Sequence, residues 1–378
     1  MLAFYACTNT QIINMINVKE QYYHNEDADL YILKKNRVDL DLMKCVEEAK
    51  IFNSIVFIEP YVLPQNALYK IFNLFIAHSP NRYYRNCLLK VIGSKIYNKF
   101  LTFGFWTDAL YVFDAFYKKN HNIEVEFVEE GIINYFFGIG RPYFCRTYGG
   151  IKEKCIRLLA HGVSSFRLKI NITNMYVYRP DLVSLNYYIE LKRINNQRDI
   201  ISRLTKAYEL KKKGITAIYE KTKIVYLLDN YEIDTHINIL KNILRDIQET
   251  DLLIKLHPEN SKKDVSKIYS AFPNIRIDDK NYCFEMLMIG QEGIKAFLSR
   301  ASTFVYNFNF IFGVRKHNLL FYRLFKYKNK NVIDFGDKFF NAINKNNIII
   351  INDFKEINQK TLKMRDAKNG EEINNSCK

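Results

Sequence analysis

The feature that most constrains this chain is an alternation, played out twice, between short apolar runs and longer segments with helical spacing. LAFYAC (2–7), DLYIL (29–33), SIVFIE (54–59), VEFVE (125–129) and NMYVYRP (174–180) are short and apolar enough to be strands of a parallel sheet. LDLMKCVEEAKIF (40–52) and WTDALYVFDAFYKK (106–119) repeat their apolar residues at helical spacing. A polar, charged stretch of helical character runs from about 190 to 220, with Gly214 placed to stop it. The alternation then restarts with KIVYLLD (223–229), a helix in THINILKNILRDIQE (235–249), LLIKLH (252–257), a short helix near 261–271, IRID (275–278), FEMLMIG (284–290), AFLS (296–299) and NVIDFG (331–336). The pattern predicts two α/β units around a cleft. The boundaries read from it are 1–195 for the first unit, 196–220 for a helical linker, 221–352 for the second unit and 353–378 for a polar, frayed tail.

Composition supports packed domains. Of 378 residues, 48% are hydrophobic and 25% charged, too apolar for a disordered chain, while 14 Gly and 7 Pro exclude collagen-like or low-complexity architectures. Seven scattered cysteines without a C-x-x-C pair suggest neither a disulfide framework nor a zinc site, which points to a reducing, cytoplasmic setting. The first fifteen residues lack the basic and apolar regions of a signal peptide, and no 18-residue apolar run occurs.

The net charge of +16 suits nucleic acid and an anionic membrane surface equally, so charge alone does not choose between them. Basic residues are dispersed among aromatics, as in RYYRN (82–86) and YKKNH (117–121), and the ordinary reading of such segments is a solvated face. FYRLFKYKNKN (321–331) alternates Phe321, Tyr322, Leu324, Phe325 and Tyr327 with Arg323, Lys326, Lys328 and Lys330, a composition that suits peripheral contact with lipid headgroups.

Ligands of open parallel sheets bind where strands end, and four strand ends carry chemistry. VEFVEEG delivers Glu129 and Glu130 before Gly131; successive side chains point oppositely, so one carboxylate can face a ligand as a general base while the other is structural. LLIKLHPE ends on His257, whose exit is fixed by Pro258, and an imidazole there can donate to a leaving phosphate. In FEMLMIG, Glu285 interrupts an apolar run and could accept ribose hydroxyls. In AFLSRASTF, Ser302 and Thr303 could open a helix, where hydroxyls and backbone N–H groups bind phosphate. Taken singly, each has a bland counterpart: an acidic turn, a structural histidine, a surface carboxylate, an ordinary helix cap.

Their order, E-E-G in the first half, then H-P, F-E-x-L-M and S-T in the second, resembles the bacterial sialyltransferases of GT-B fold, whose families share D/E-D/E-G, HP and paired Ser/Thr motifs. CTNTQIINMIN (7–17) is similar to the T-x-x-Q-x-x-N opening of the lipooligosaccharide and capsule branch, glycosyltransferase family 52. The resemblance implies two Rossmann-like domains facing across a cleft, and transfer of sialic acid from CMP-sialic acid, with inversion, to a terminal galactose of a bacterial surface glycan. It implies Glu130 as base with Glu129 orienting the loop, His257 and Pro258 at the donor phosphate, Glu285 on the ribose, and Ser302 and Thr303 on the phosphate; Thr303 stands where many relatives carry a second Ser. Thr8, Asn9, Gln11 and Asn14, read as an N-terminal loop, and Lys255 are looser candidates for donor or acceptor contacts. No cofactor or metal is implied: the leaving group is a single phosphate, and DLD (39–41) opens a helix rather than forming a metal site. The expected partners are the donor and the glycan, with an anionic membrane surface beside them and no nucleic acid; the expected place is the cytoplasm, at the inner face of the membrane. The alternatives are a GT-B transferase for another nucleotide sugar and a non-catalytic basic module that binds nucleic acid or membrane.

Overall fold

The computed structural model describes residues 1–34, 38–60, 82–104, 107–132, 135, 171–183, 189–195, 198–310, 312, 316–327, 331–344 and 347–366. Trp106, Cys145, Cys155, Lys328, Lys330, Cys377 and the side chains of Arg82, Tyr83 and Tyr84 lie outside the described residues. The chain divides into two compact units, Met1–Gln197 and Arg198–Lys378.

The first unit is built on a seven-stranded sheet. Its strands are β1 (Leu2–Ala6), β2 (Ala28–Leu33), β3 (Ser54–Ile58), β4 (Lys99–Thr102), β5 (Glu124–Val128), β6 (Asn171–Val177) and β7 (Glu190–Arg193). They run parallel in the order β3-β2-β1-β4-β5-β6-β7. β1 and β2 are buried along their whole length, which is why their sequences are continuously apolar apart from Asp29. The helix Thr107–Lys119 sends Val112, Phe113, Ala115 and Phe116 into the core beside Phe100 and Tyr97. One residue of β6 is extra between Val125 and Glu126 of β5, a bulge that bends the strand pair just before its exit.

The second unit carries a six-stranded parallel sheet in the order β10-β9-β8-β11-β12-β13. Its strands are β8 (Ile224–Leu228), β9 (Leu252–Leu256), β10 (Arg276–Asp278), β11 (Ala296–Ser299), β12 (His317–Leu320) and β13 (Ile348–Ile350). The helix Ile233–Ile243 buries Ile239, Leu240 and Ile243 against it.

Several expectations are corrected. The segment 7–17 is not a loop: Asn9–Tyr22 is a helix, buried from Gln11 through Lys19. NVIDFG is not a strand but opens the helix Asn331–Ile343, because Phe335, Phe339, Phe340 and Ile343 continue the apolar spacing at helical intervals beyond it. Strand β12 begins on a polar pair, His317-Asn318, and the edge strand β13 is only three residues long, so neither announced itself. The stretch expected to link the units is part of the second: the helix Arg198–Lys211 buries Ile201, Leu204 and Tyr208, and the Tyr208 hydroxyl accepts from the Cys283 N–H at 2.9 Å. The tail expected from 353 is helical over Glu356–Asp366, with Ile357, Thr361 and Met364 buried; residues 367–378 lie outside the described residues.

The aromatic-basic segment is also corrected. Phe321, Tyr322 and Phe325 point into the core, and Tyr322 packs on Phe340 so closely that a Cβ on Gly336 would lie 2.9 Å from its ring. Three of the four rings that suggested a membrane-facing surface are therefore core residues, and Tyr327 is partly buried against the same core. No helix among the described residues is long and apolar enough to cross a membrane.

Candidate functional site

In each sheet the strand order reverses at one point, between β1 and β4 in the first and between β8 and β11 in the second. Strand exits beside such points are where ligands of this architecture sit. Thr8 and Ser302 follow two of these strands, β1 and β11, while Glu129-Glu130 and His257 follow β5 and β9, each one strand away from the reversal.

In the first unit, Thr8 follows β1 and caps the helix Asn9–Tyr22, its side chain accepting from the Gln11 N–H at 3.3 Å. That fixes the first turn of the helix and aims Gln11 at the exit of β5, where its amide Nε2 donates to Glu130 Oε1 at 2.8 Å. The other end of the Gln11 amide accepts from the Cys7 N–H at 2.8 Å, so the side chain is held at both ends. One helical turn on, Asn14 Nδ2 donates to the Glu129 backbone carbonyl at 2.7 Å, while its Oδ1 accepts from the Tyr178 hydroxyl at 2.9 Å. Thr8, Gln11 and Asn14 thus form one device that clasps the two glutamates. Gly131 follows with φ 140°, a conformation that disfavours any side chain and lets the chain leave the strand sharply. Asn9 faces elsewhere and accepts from the Asp39 N–H at 2.8 Å. Asp39 itself caps the helix Leu40–Glu48, which gives the D-x-D letters their structural role.

The two glutamates occupy different environments. Glu129 is fully buried; its Oε2 accepts from the Tyr178 backbone N–H at 2.8 Å and from the Tyr135 hydroxyl. Glu130 is half-buried, beside the neutral Gln11 amide. Burial and the Glu129 carboxylate push the Tyr178 phenol well above its ordinary pKa, so it stays a protonated donor. Deeper in the unit, Glu126 is bound by Lys99 at 2.8 Å, Asn174 at 2.7 Å and Tyr176 at 2.8 Å. Burial raises its pKa, but these bonds and that from Tyr23 outweigh it, and the net shift is downward. A cavity of about 540 Å³ in the same unit, lined by Lys19, Glu47, Lys50 and Ser54 among others, lies by the strand starts, not these exits.

In the second unit His257 is the first residue beyond β9 and is exposed. Its Nδ1 accepts from the Glu259 N–H at 3.1 Å, which in the neutral ring places the proton on Nε2. Its backbone N–H is shared between Leu228 O at 3.0 Å and Asn260 Oδ1 at 2.7 Å, so the turn through Pro258 is pinned at both ends. Beyond β11, Ser302 precedes the helix Thr303–Phe310 and caps it, its Oγ accepting from the Phe304 N–H at 3.2 Å, with Thr303 in the first turn. Glu285 lies half-buried in the first turn of the helix Phe284–Ile289. Lys255 is buried, donates to the carbonyls of Lys280 at 2.7 Å and Leu256 at 3.2 Å, and lies 5.1 Å from the centroid of the Tyr282 ring. Burial lowers its pKa, against the pull of Asp278, Asp279 and Glu285.

One element escaped the sequence reading. Asp229, directly after β8, receives Arg300 Nε at 2.6 Å, His236 Nε2 at 3.0 Å and the Tyr231 N–H at 2.9 Å. Burial works against its charge, but His236 and Arg300 hold the carboxyl down at about 2. The available signal was the aspartate that closes the apolar run KIVYLLD.

Among the described residues, no group of three or more His, Cys, Asp or Glu is arranged to hold a metal ion. A search of curated proteins finds no match. Among solved structures, the chain is similar to the MnaA–UDP complex of S. aureus, at 14% identity over 97% of this chain and 88% of that one, with a TM-score of 0.53. It is also similar to the UDP-GlcNAc 2-epimerase of Neisseria meningitidis bound to UDP-GlcNAc, at 13% identity over 96% and 90% with a TM-score of 0.53. A UDP-glucosyltransferase from Polygonum tinctorium aligns at 7% identity over 98% and 90%, with a TM-score of 0.51. At such identities the likeness speaks for the fold alone, that of two Rossmann-like domains of GT-B type. The family model that matches residues 5–320 is that of the alpha-2,8-polysialyltransferases; it carries the sialyltransferase reading and does not bear on the lipooligosaccharide branch. With that match spanning the clasped glutamates, the histidine turn and the capped serine, the chain belongs to the alpha-2,8-polysialyltransferase family, a family of glycosyltransferases.

Proposed function

We propose that this protein transfers sialic acid from CMP-sialic acid, with inversion and without a metal, to the non-reducing end of a bacterial surface glycan. The family's name favours a sialyl terminus joined through an α-2,8 linkage over the galactose end that the sequence motifs suggested. In this reading Glu130 removes the proton from the acceptor hydroxyl. Gln11, a neutral amide, orients the Glu130 carboxylate without bringing a positive charge at that contact. Glu129, buried and bonded to Tyr178 and Tyr135, fixes the loop rather than taking the proton.

On the donor side, the departing CMP carries a single phosphate, whose developing charge needs hydrogen-bond donors more than a cation. His257 Nε2–H and the first turn of the helix after Ser302, with Thr303, supply such donors, and Glu285 accepts from the ribose. Thr8 and Gln11 position the Glu130 exit through their own bonds, while Asn9 braces the start of the neighbouring helix at Asp39.

The observation that carries the division of labour is the contrast between a fully buried Glu129 and a half-buried Glu130 on one strand exit. The test is CMP release from CMP-sialic acid, in the presence of a chelator, across galactosyl and sialyl acceptors with the product linkage determined. Chelator-insensitive release with sialyl acceptors and an α-2,8 product is the expected result. Transfer from a UDP-hexose instead, or none without an added divalent ion, would overturn it.

A further inference from the structure

Asp229 and Arg300 are the first residues beyond β8 and β11, the two neighbouring strands that flank the reversal of strand order in the second sheet. Their ion pair, at 2.6 Å, therefore ties together two exits that the sheet's own ladder no longer joins. Arg300 lies in the turn between Ser299 and Ser302, and its guanidinium stacks 4.6 Å from the Tyr231 ring centroid with Phe325 and Tyr327 each at 5.8 Å, an aromatic wall that fixes its direction. Asp229 reaches the next strand as well. Its backbone carbonyl accepts from Asn260 Nδ2 at 3.1 Å, and the same Asn260 side chain accepts from the His257 N–H at 2.7 Å.

We propose that Asp229, Asn260 and Arg300 form a positioning unit for His257, in which an ion pair across two strand exits sets, through Asn260, the turn that carries the imidazole. One linkage then couples the histidine turn and the serine turn, so that both donor-facing elements keep a fixed spacing. This inference rests on the reading of His257 as the group that meets the donor phosphate. Several features distinguish the unit from an ordinary surface ion pair: both charges are mostly withdrawn from water, Asp229 accepts on each carboxylate oxygen, and His236, itself fully buried, is shared between Asp229 at 3.0 Å and the Tyr226 hydroxyl at 2.7 Å. Such a network leaves the turn few alternative arrangements.

The test uses the full chain with CMP-sialic acid as donor and an oligosialyl acceptor, measuring kcat and KM separately, with thermal unfolding of every variant. Asn260→Ala and Arg300→Met are expected to lower kcat by roughly 10- to 100-fold with little change in KM for the donor, the loss that misplacement of a reacting group produces. Arg300→Lys, which keeps the charge but not the fork geometry, should recover part of it. In a His257→Ala background, Asn260→Ala should cost nothing more, because its effect passes through the imidazole. If Arg300→Met does not fold, Asn260→Ala, at a half-exposed turn, still decides the matter. Full kcat in Asn260→Ala while His257→Ala is inactive overturns this proposal alone, as does an additive loss in the double variant. Wild-type turnover in His257→Ala overturns the donor reading and this proposal with it.

Discussion

The exits of the two sheets are held by different chemistry. At the first, the partners seen for the two glutamates among the described residues include the amides of Gln11 and Asn14, the Tyr135 phenol and the Tyr178 backbone N–H, with the Tyr178 phenol bonded in turn to Asn14. At the second, the Asp229 carboxylate beyond β8 is matched by a guanidinium, beside an imidazole that follows β9 and a helix start that follows β11. The contrast fits the roles proposed for the two edges. A base loses its basicity beside a fixed cation, so a carboxylate meant to accept a proton is steered by amides. An edge proposed to receive an anion offers donors, and the Asp229 carboxylate within it has its charge balanced by Arg300.

This contrast can be broken by substitution. The largest effect is expected from Glu130→Gln, which keeps shape and partner but removes the base; CMP release should fall by about 10²- to 10⁴-fold with the unfolding midpoint unchanged. Glu129→Ala should do the reverse in kind. It strands the Tyr178 N–H and the Tyr135 hydroxyl and should cost about 1–3 kcal/mol for each orphaned donor, read from urea unfolding. If Glu129→Ala proved stable but inactive, the roles of the two glutamates would be exchanged.

The second edge should respond to acid where the first does not share its cause. Asp229 has a folded pKa of about 2 against an ordinary 3.8, so its contribution is present above pH 3.8 and is lost as the pH falls through about 2. The difference amounts to about 2.5 kcal/mol. Asp229→Asn should lower stability at neutral pH by about that much and flatten the decline between pH 4 and 2, measured by denaturant titration at each pH. The smallest effects are expected at the caps. Thr8→Ala and Ser302→Ala should each cost about 1 kcal/mol of stability, and the first should also slow turnover by loosening the Gln11 turn.

Much of the framework could be read from the chain, because strands buried on both faces leave an unmistakable apolar trace, as LLIKL and IVYLL do. Strand edges were harder. The three-residue β13 and the polar opening of β12 carry too little signal, and NVIDFG shows that an apolar run cannot tell strand from helix until its continuation through Phe339 and Ile343 is weighed. For the site, the motifs named the right residue types but not their partners. Gln11 was read as a motif residue and a candidate for donor or acceptor contacts, whereas its contact with Glu130 lies 119 positions away and no local pattern encodes it. Arg300 was passed over between two serines for the same reason: its meaning depends on Asp229, 71 residues earlier. Lys255 misled in the opposite direction, since a lysine at a strand end looks available until burial and two carbonyls are seen to occupy it.

The clasp between the helix Asn9–Tyr22 and the exit of β5 has a consequence for how the protein is made. Asn14 and Asn17 are both fully buried, and their shared partner, the Tyr178 hydroxyl, lies 164 and 161 positions further along. At a synthesis rate of about 5–20 residues per second, these amides wait roughly 8–30 s for the residue that satisfies them. During that interval the first helix cannot settle in its final place without leaving polar groups unpaired in an apolar interior. Assembly of the first unit is therefore gated by nearly its last strand, and the machinery around the glutamates comes together in a late step of folding.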